Sequence, residues 1–118
     1  MSKKDTKIFI LHILESIERI ERFVGKSSKE DFLKSEIIQD STIRRIEIIG
    51  EAVKNIPQSF RDKYSDIEWK KIAGTRDNIV HGYFGIDLNL TFKIVKKDIP
   101  ELKKKILKIL EKEFGIKS

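Results

Sequence analysis

The sequence predicts an all-α fold, on three observations. Apolar residues recur at helical spacing in four separate windows. No segment shows the every-second-residue alternation of a half-buried strand. Gly25, Pro57, Gly82 and Gly85 stand where windows end. With 118 residues, the chain is expected to form one domain, 1–118, with enough length for one hydrophobic core. The predicted architecture is a bundle of four main helices joined by short connecting helices.

The first helix is placed at residues 5–24, where Ile10, Ile13, Leu14, Ile17, Ile20 and Val24 form a stripe of 3.6-residue period. Gly25 stops it, and Lys26-Ser-Ser-Lys29 reads as a loop. Glu30 and Asp31 then favour a helix start, where the helix dipole accommodates negative charge. Phe32, Leu33, Ile37 and Ile38 begin an apolar pattern that continues through Ile43, Ile46, Ile49, Ala52, Val53 and Ile56. This predicts one long helix over about 30–55, with Ser41 or Thr42 as the place for a kink and Pro57 as its end. On it Glu47 and Glu51 share a face, with Arg44 one turn earlier. That group fits a surface ion-pair ladder, and also a polar wall of a cleft or a dimer contact.

Residues 57–64 read as a turn or a single helical turn. Ser65 and Asp66 are capping candidates for a third helix over about 67–81, with Trp69, Ile72, Ala73, Ile79 and Val80 as its apolar members. Trp69 suits a core anchor or a base-stacking surface. Gly82 and Gly85 end this helix, and Asp87 caps a short one running to about Lys96. Asp98 can cap the last helix, with Pro100 in its first turn and Leu102, Ile106, Ile109, Leu110 and Phe114 as its buried stripe.

Composition narrows the functional classes. Cysteine is absent, which removes disulfides, thiol nucleophiles and Cys-ligated metals together. There is no apolar run long enough for a transmembrane helix, and the polar start Met1-Ser-Lys-Lys-Asp-Thr-Lys7 lacks the form of a secretory signal. A cytoplasmic protein without membrane association is expected. The net charge is +6, and residues 93–118 carry nine lysines against four acidic residues. Such a balance permits binding to a polyanion, although a solvated helix face gives the same count. No HExxH, paired-histidine or carboxylate cluster predicts a metal site, and no glycine-rich phosphate loop is present. His12 lies off the apolar stripe and reads as a surface residue.

The chemistry concentrates in Gly74-Thr-Arg-Asp-Asn-Ile-Val-His-Gly-Tyr-Phe-Gly-Ile-Asp87, which brings Arg76, Asp77, His81 and Tyr83 together. Arginine stays charged and grips phosphate oxygens as a fork, whereas histidine moves protons near neutral pH. On a continuous helix Arg76 and Tyr83 share a face, as do Asp77 and His81, and Asp77 can fix the imidazole tautomer. Arg76 and His81, five residues apart, would sit about 140° apart around a regular axis. Either the helix loosens near His81-Gly82, or a second chain completes the site.

The pattern Arg-x4-His-x-Tyr resembles the signature of the HEPN superfamily, and in particular the HepT toxins of HepT/MntA toxin–antitoxin pairs. The runs Arg44-Arg-Ile-Glu-Ile-Ile-Gly-Glu-Ala52, Trp69-Lys-Lys-Ile-Ala-Gly-Thr-Arg76 and Asp87-Leu-Asn-Leu-Thr91 resemble that family too, so the likeness covers nearly the whole chain. It implies a HEPN-type helical bundle, a homodimer, and a metal-independent endoribonuclease needing no cofactor. It further implies that Arg76 and His81 are catalytic, with Asp77 supporting them. Tyr83 would be the residue AMPylated by an MntA-type nucleotidyltransferase antitoxin, which silences the toxin toward its RNA substrate. The alternative is a non-catalytic helical module that binds a nucleotidyltransferase partner or a nucleotide. The intact Arg76, His81 and Tyr83 favour the enzyme.

Overall fold

A computed structural model describes residues 2–82 and 85–117. Helix α1 spans Lys3–Val24, α2 Lys29–Lys34, α3 Glu36–Lys54, α4 Gln58–Lys63, α5 Trp69–Ala73, α6 Thr75–Ile79, α7 Leu88–Lys93 and α8 Ile99–Phe114. A wide π-type turn, Ile94–Asp98, joins α7 to α8. The all-helical expectation holds: among the described residues the single extended pairing is an isolated antiparallel bridge between Val80 and Ile86.

Helix α1 starts where the Ser2 hydroxyl accepts a hydrogen bond from the Asp5 amide, meeting one of the donors that a helix start leaves open. Its stripe of Ile10, Ile13, Ile17, Ile20 and Val24 is fully buried. Each such side chain contributes about 1.5–3 kcal/mol by leaving water. α1 packs along α3 and against α8, while α3 also carries α5 and α6. The core closes with Ile46, Ile49 and Val53 from α3, Trp69 from α5, and Ile106, Ile109 and Leu110 from α8. The indole N–H of Trp69 donates to the carbonyls of Arg61 and Tyr64 at 3.1 and 3.0 Å, so this residue is the core anchor and not a stacking surface.

The single long helix expected over 30–55 is two helices. The break comes at Ser35, not at Ser41 or Thr42, which lie inside α3. Ser35 adopts extended dihedrals (φ −116°, ψ 101°), and its hydroxyl accepts from the Ile38 amide, so it caps α3. The carbonyl of Phe32, freed by the break, accepts from the Gln39 side-chain amide at 2.9 Å. The break resets the helical phase: Gln39 and Thr42 are buried, and Ile37 is 81% exposed.

The third main helix is also broken. Gly74 separates α5 from α6, and α6 ends at Ile79, so His81 is not helical. Neither Ser65 nor Asp66 caps α5: Glu68 precedes it with no side-chain cap, and the Asp66 carbonyl instead accepts from Lys105 at 2.8 Å. Asp87 does cap α7, its carboxylate accepting from the Leu90 amide at 3.0 Å. Asp98 does not cap α8. It holds helical dihedrals (φ −71°, ψ −39°), because the chain stays helical through the π-type turn. The fourth member of the expected bundle is therefore the broken α5–α6 pair beside α1, α3 and α8.

Candidate active site

Gly50 lets α3 and the end of α5 approach closely. A Cβ on Gly50 would lie 3.1 Å from the carbonyl oxygen of Ala73 and 3.5 Å from that of Ile72. Glu47 sits one turn earlier on the same face of α3, so the approach sets α6 beside it. The Glu47 Oε2 atom is 3.5 Å from Arg76 Nε, and its Oε1 accepts from Arg44 Nη1. Asp77 Oδ1 lies 3.6 Å from Arg76 Nη1. Arg76 thus stands between two carboxylates, one across the helix interface and one beside it in sequence.

These two contacts are ion pairs too long to count as good hydrogen bonds. The Arg76 side chain is 44% exposed, that of Glu47 37% and that of Asp77 80%. At such exposure each pair is worth about 0–1 kcal/mol. Arg76 is therefore oriented through Nε without being sequestered. A guanidinium left this exposed suits the planar, two-point grip that a phosphate offers.

Beyond Ile79 the chain folds back on itself. The Val80 amide donates to the Arg76 carbonyl, the His81 amide to the Gly85 carbonyl at 2.9 Å, and the Asp87 amide to the Ile79 carbonyl at 2.8 Å. Gly82 and Gly85 have φ of +55° and +105°, values that a side chain would strain, so glycine is what lets this turn close. His81 is exposed at the head of the turn, next to the end of the arginine helix. Two expected alignments disappear with the helix. Asp77 and His81 are not one helical turn apart, and Asp77 faces Arg76 instead. The 140° mismatch between Arg76 and His81 no longer applies either, so it lends no support to a second chain. Tyr83, the expected AMPylation site, lies outside the described residues.

The sequence left Glu47 and Glu51 open between a surface ion-pair ladder and a polar wall of the cleft. Glu51 pairs with Lys54 at 3.2 Å, and Glu47 alone reaches the motif. The signal was Gly50, one turn after Glu47: a glycine inside a helix marks the close approach of a neighbour, and its face is the face that meets the site. His12 is exposed with its ring edge-on to Phe9, as expected of a surface residue. Tyr64 is no rival to the motif. Burial, helped by the Glu113 carboxylate beside it, pushes its hydroxyl up to about 12, so it stays neutral.

A separate cavity of about 280 Å³ lies among α3, α5 and α8, floored by Ile46, Ile49, Ile72 and Leu102. Its rim mixes lysines with carboxylates, and neither Arg76 nor His81 lines it. Among the described residues no three His, Asp or Glu side chains cluster as metal ligands, and no helix is long and apolar enough to cross a membrane.

The profile of the family described as Ribonuclease HepT-like matches residues 13–109. A Methanocaldococcus jannaschii protein, named gamma-glutamylcyclotransferase and candidate RNase, is 56% identical over 109 residues, 92% of this chain and 49% of its own length. The chain thus spans about half of that relative. A candidate RNase of Caldanaerobacter subterraneus subsp. tengcongensis is 43% identical over 93% of this chain and 98% of its own. A Thermococcus cleftensis protein named probable ribonuclease HepT is 44% identical over 91% of this chain and 97% of its own. No solved structure matches.

Proposed function

The chain belongs to the HepT-like ribonuclease family, and on that premise we propose that it is a cytoplasmic, metal-independent endoribonuclease acting as the toxin of a HepT/MntA-type pair. The observation that carries the proposal is the pairing of Arg76, oriented by Glu47 at 3.5 Å, with His81 exposed on the adjoining turn. Cleavage by the neighbouring 2′-hydroxyl requires three things: a base for its proton, an acid at the departing 5′-oxygen, and positive charge on the phosphorane. Arg76 supplies the charge, and its two carboxylate contacts are weak enough for a phosphate to displace. His81 supplies proton transfer. Asp77 shares Arg76 with the incoming phosphate and so supports its placement. One motif histidine per chain covers one of the two proton transfers. A homodimer that joins two copies of the turn covers both.

The regulatory half of the proposal concerns Tyr83, between Gly82 and Gly85 in sequence. A nucleotidyltransferase antitoxin would move AMP from ATP to the phenol, releasing pyrophosphate. Each added phosphodiester brings a negative charge into a segment whose partner for negative charge is Arg76, and it blocks RNA by bulk and repulsion.

The test is cleavage of a labelled RNA in EDTA by the wild type, His81→Ala and Arg76→Ala, each checked for helical content by circular dichroism. The expected result is cutting by the wild type that EDTA leaves unchanged and that both substitutions abolish. Cutting that needs Mg²⁺ and survives His81→Ala would refute the mechanism.

A further inference from the structure

We propose that a lysine-lined groove along α7 binds the phosphate backbone of single-stranded RNA and leads it to the Arg76–His81 turn. The inference rests on the ribonuclease reading above and names the surface through which the substrate is held.

The groove has a volume of about 610 Å³. Lys29 enters it from the first residue of α2, Asn89, Phe92 and Lys93 from α7, and Lys96 and Lys97 from the π-type turn. Asp87 is the one carboxylate among its described lining residues, and its Oδ1 already accepts from the Leu90 amide at 3.0 Å. Elsewhere some lysines are matched, such as Lys34 with Glu30, Lys54 with Glu51, Lys63 with Glu113 and Lys103 with Glu21, and others, Lys104, Lys108 and Lys117 among them, enter no ion pair among the described residues. Lys29, Lys93 and Lys97 enter no ion pair among the described residues. Four lysines around one carboxylate make the groove a positively charged surface, and a chain of phosphates that binds there gains by releasing its own counterions.

Placement supports the same occupant. Asp87 heads the groove, and its amide is bonded to the carbonyl of Ile79, the last residue of the helix that carries Arg76. The groove therefore begins where the motif turn ends. Half-buried Phe92 lines the groove beside the lysines, packed on Phe32 at 5.6 Å between ring centres, and the Asn89 amide both donates and accepts, a mix of aromatic, polar and basic groups of the kind that serves single strands. Lys96 has a structural duty as well. Its ammonium donates to the carbonyls of Val24 and Gly25 at 3.2 and 3.0 Å and lies 5.3 Å from the centre of the Phe92 ring. It is left unchanged in the test for that reason.

The test uses the full chain and a fluorescein-labelled 2′-O-methyl RNA twelve nucleotides long, which binds but lacks the attacking hydroxyl. Anisotropy titrations across a range of salt compare the wild type with Lys29→Gln/Lys93→Gln/Lys97→Gln. A control, Lys104→Gln/Lys108→Gln/Lys117→Gln, removes the same charge from exposed positions on α8 and the C-terminal tail. Three lost phosphate contacts on a single strand lower the slope of log affinity against log salt by about 2, on the order of a hundredfold weaker binding at 0.1 M salt. The control is expected to stay near the wild type. Equal weakening by both variants, or a groove variant with wild-type affinity and slope, overturns the proposal. Cleavage of natural RNA is measured alongside. Wild-type cutting with unchanged binding by the groove variant removes the groove and leaves the ribonuclease reading. Loss of binding by the groove variant without any wild-type cutting removes the ribonuclease reading and leaves the groove.

Discussion

Gly50→Val tests the link between helix packing and the arginine. The substitution places a Cβ 3.1 Å from the Ala73 carbonyl oxygen, closer than side-chain carbons normally sit, and adds two methyl groups beyond it. Two effects oppose each other. Replacing glycine inside a helix gains up to about 1 kcal/mol for alanine, and less for valine, whose branched side chain is restricted there. Overpacking a fitted interface costs about 1–3 kcal/mol. For valine the second effect wins, with a net loss of roughly 1–2 kcal/mol. The wall it pushes on is the end of α5, and Arg76 follows Ala73 by three residues, so relief of the clash moves Arg76 away from Glu47. A misplacement near 1 Å costs on the order of 100-fold in rate. Urea unfolding followed by circular dichroism reads the stability. Cleavage of labelled RNA, expressed per folded molecule, reads the placement. Wild-type stability in Gly50→Val would refute the close approach. Reduced stability with full activity per folded molecule would refute the coupling to Arg76.

Three further outcomes are expected. Thr42→Val should raise stability by about 1 kcal/mol, because the Thr42 hydroxyl is fully buried with no hydrogen-bond partner among the described residues; a loss in urea unfolding would mean that the hydroxyl is satisfied. The Glu113 carboxyl is held below its ordinary value of 4.5, chiefly by the hydrogen bond from Lys63. Its contribution is therefore present above that pH and lost as pH falls below it, so the stability gap between wild type and Glu113→Gln should be open at pH 7 and close in acid. A gap independent of pH would contradict this. Tyr83→Phe should keep at least part of its toxicity and escape neutralisation by the partner nucleotidyltransferase with ATP; wild-type protein carrying no adduct on Tyr83 after that incubation, by mass spectrometry, would sink the regulatory proposal.

The parts of the fold that were legible in sequence are those where the apolar stripe alone decides the structure. In α1 the stripe at Ile10, Ile13, Ile17, Ile20 and Val24 is the core, and in α8 Leu102, Ile106, Ile109 and Leu110 are buried as their spacing requires. The breaks were illegible because they are made by hydrogen bonds rather than by apolar periodicity. Ser35 reads as an ordinary helix residue until its hydroxyl is seen capping α3, and Gln39 reads as surface until its amide is seen on the Phe32 carbonyl. Ile37 counted toward the stripe and is exposed for the same reason. In the site, the motif marked Arg76, Asp77 and His81, but helix geometry misassigned their alignments because Gly74 and the fold-back after Ile79 interrupt the helix. Glu47 was visible as a polar residue of α3, whereas its contact with Arg76 depends on a tertiary approach that spacing within one helix does not encode.

The most direct measurement is the chemistry of the RNA ends. Wild-type protein and His81→Ala, both in EDTA, are incubated with an end-labelled RNA and with the same RNA carrying 2′-O-methyl groups, and the products are resolved by mass spectrometry. Attack by the 2′-hydroxyl, with Arg76 on the phosphate and His81 moving a proton, predicts cyclic 2′,3′-phosphate and 5′-hydroxyl ends from the wild type. It predicts no cleavage of the methylated RNA and none by His81→Ala. Products with 5′-phosphate ends, or cleavage of the methylated strand, would contradict it.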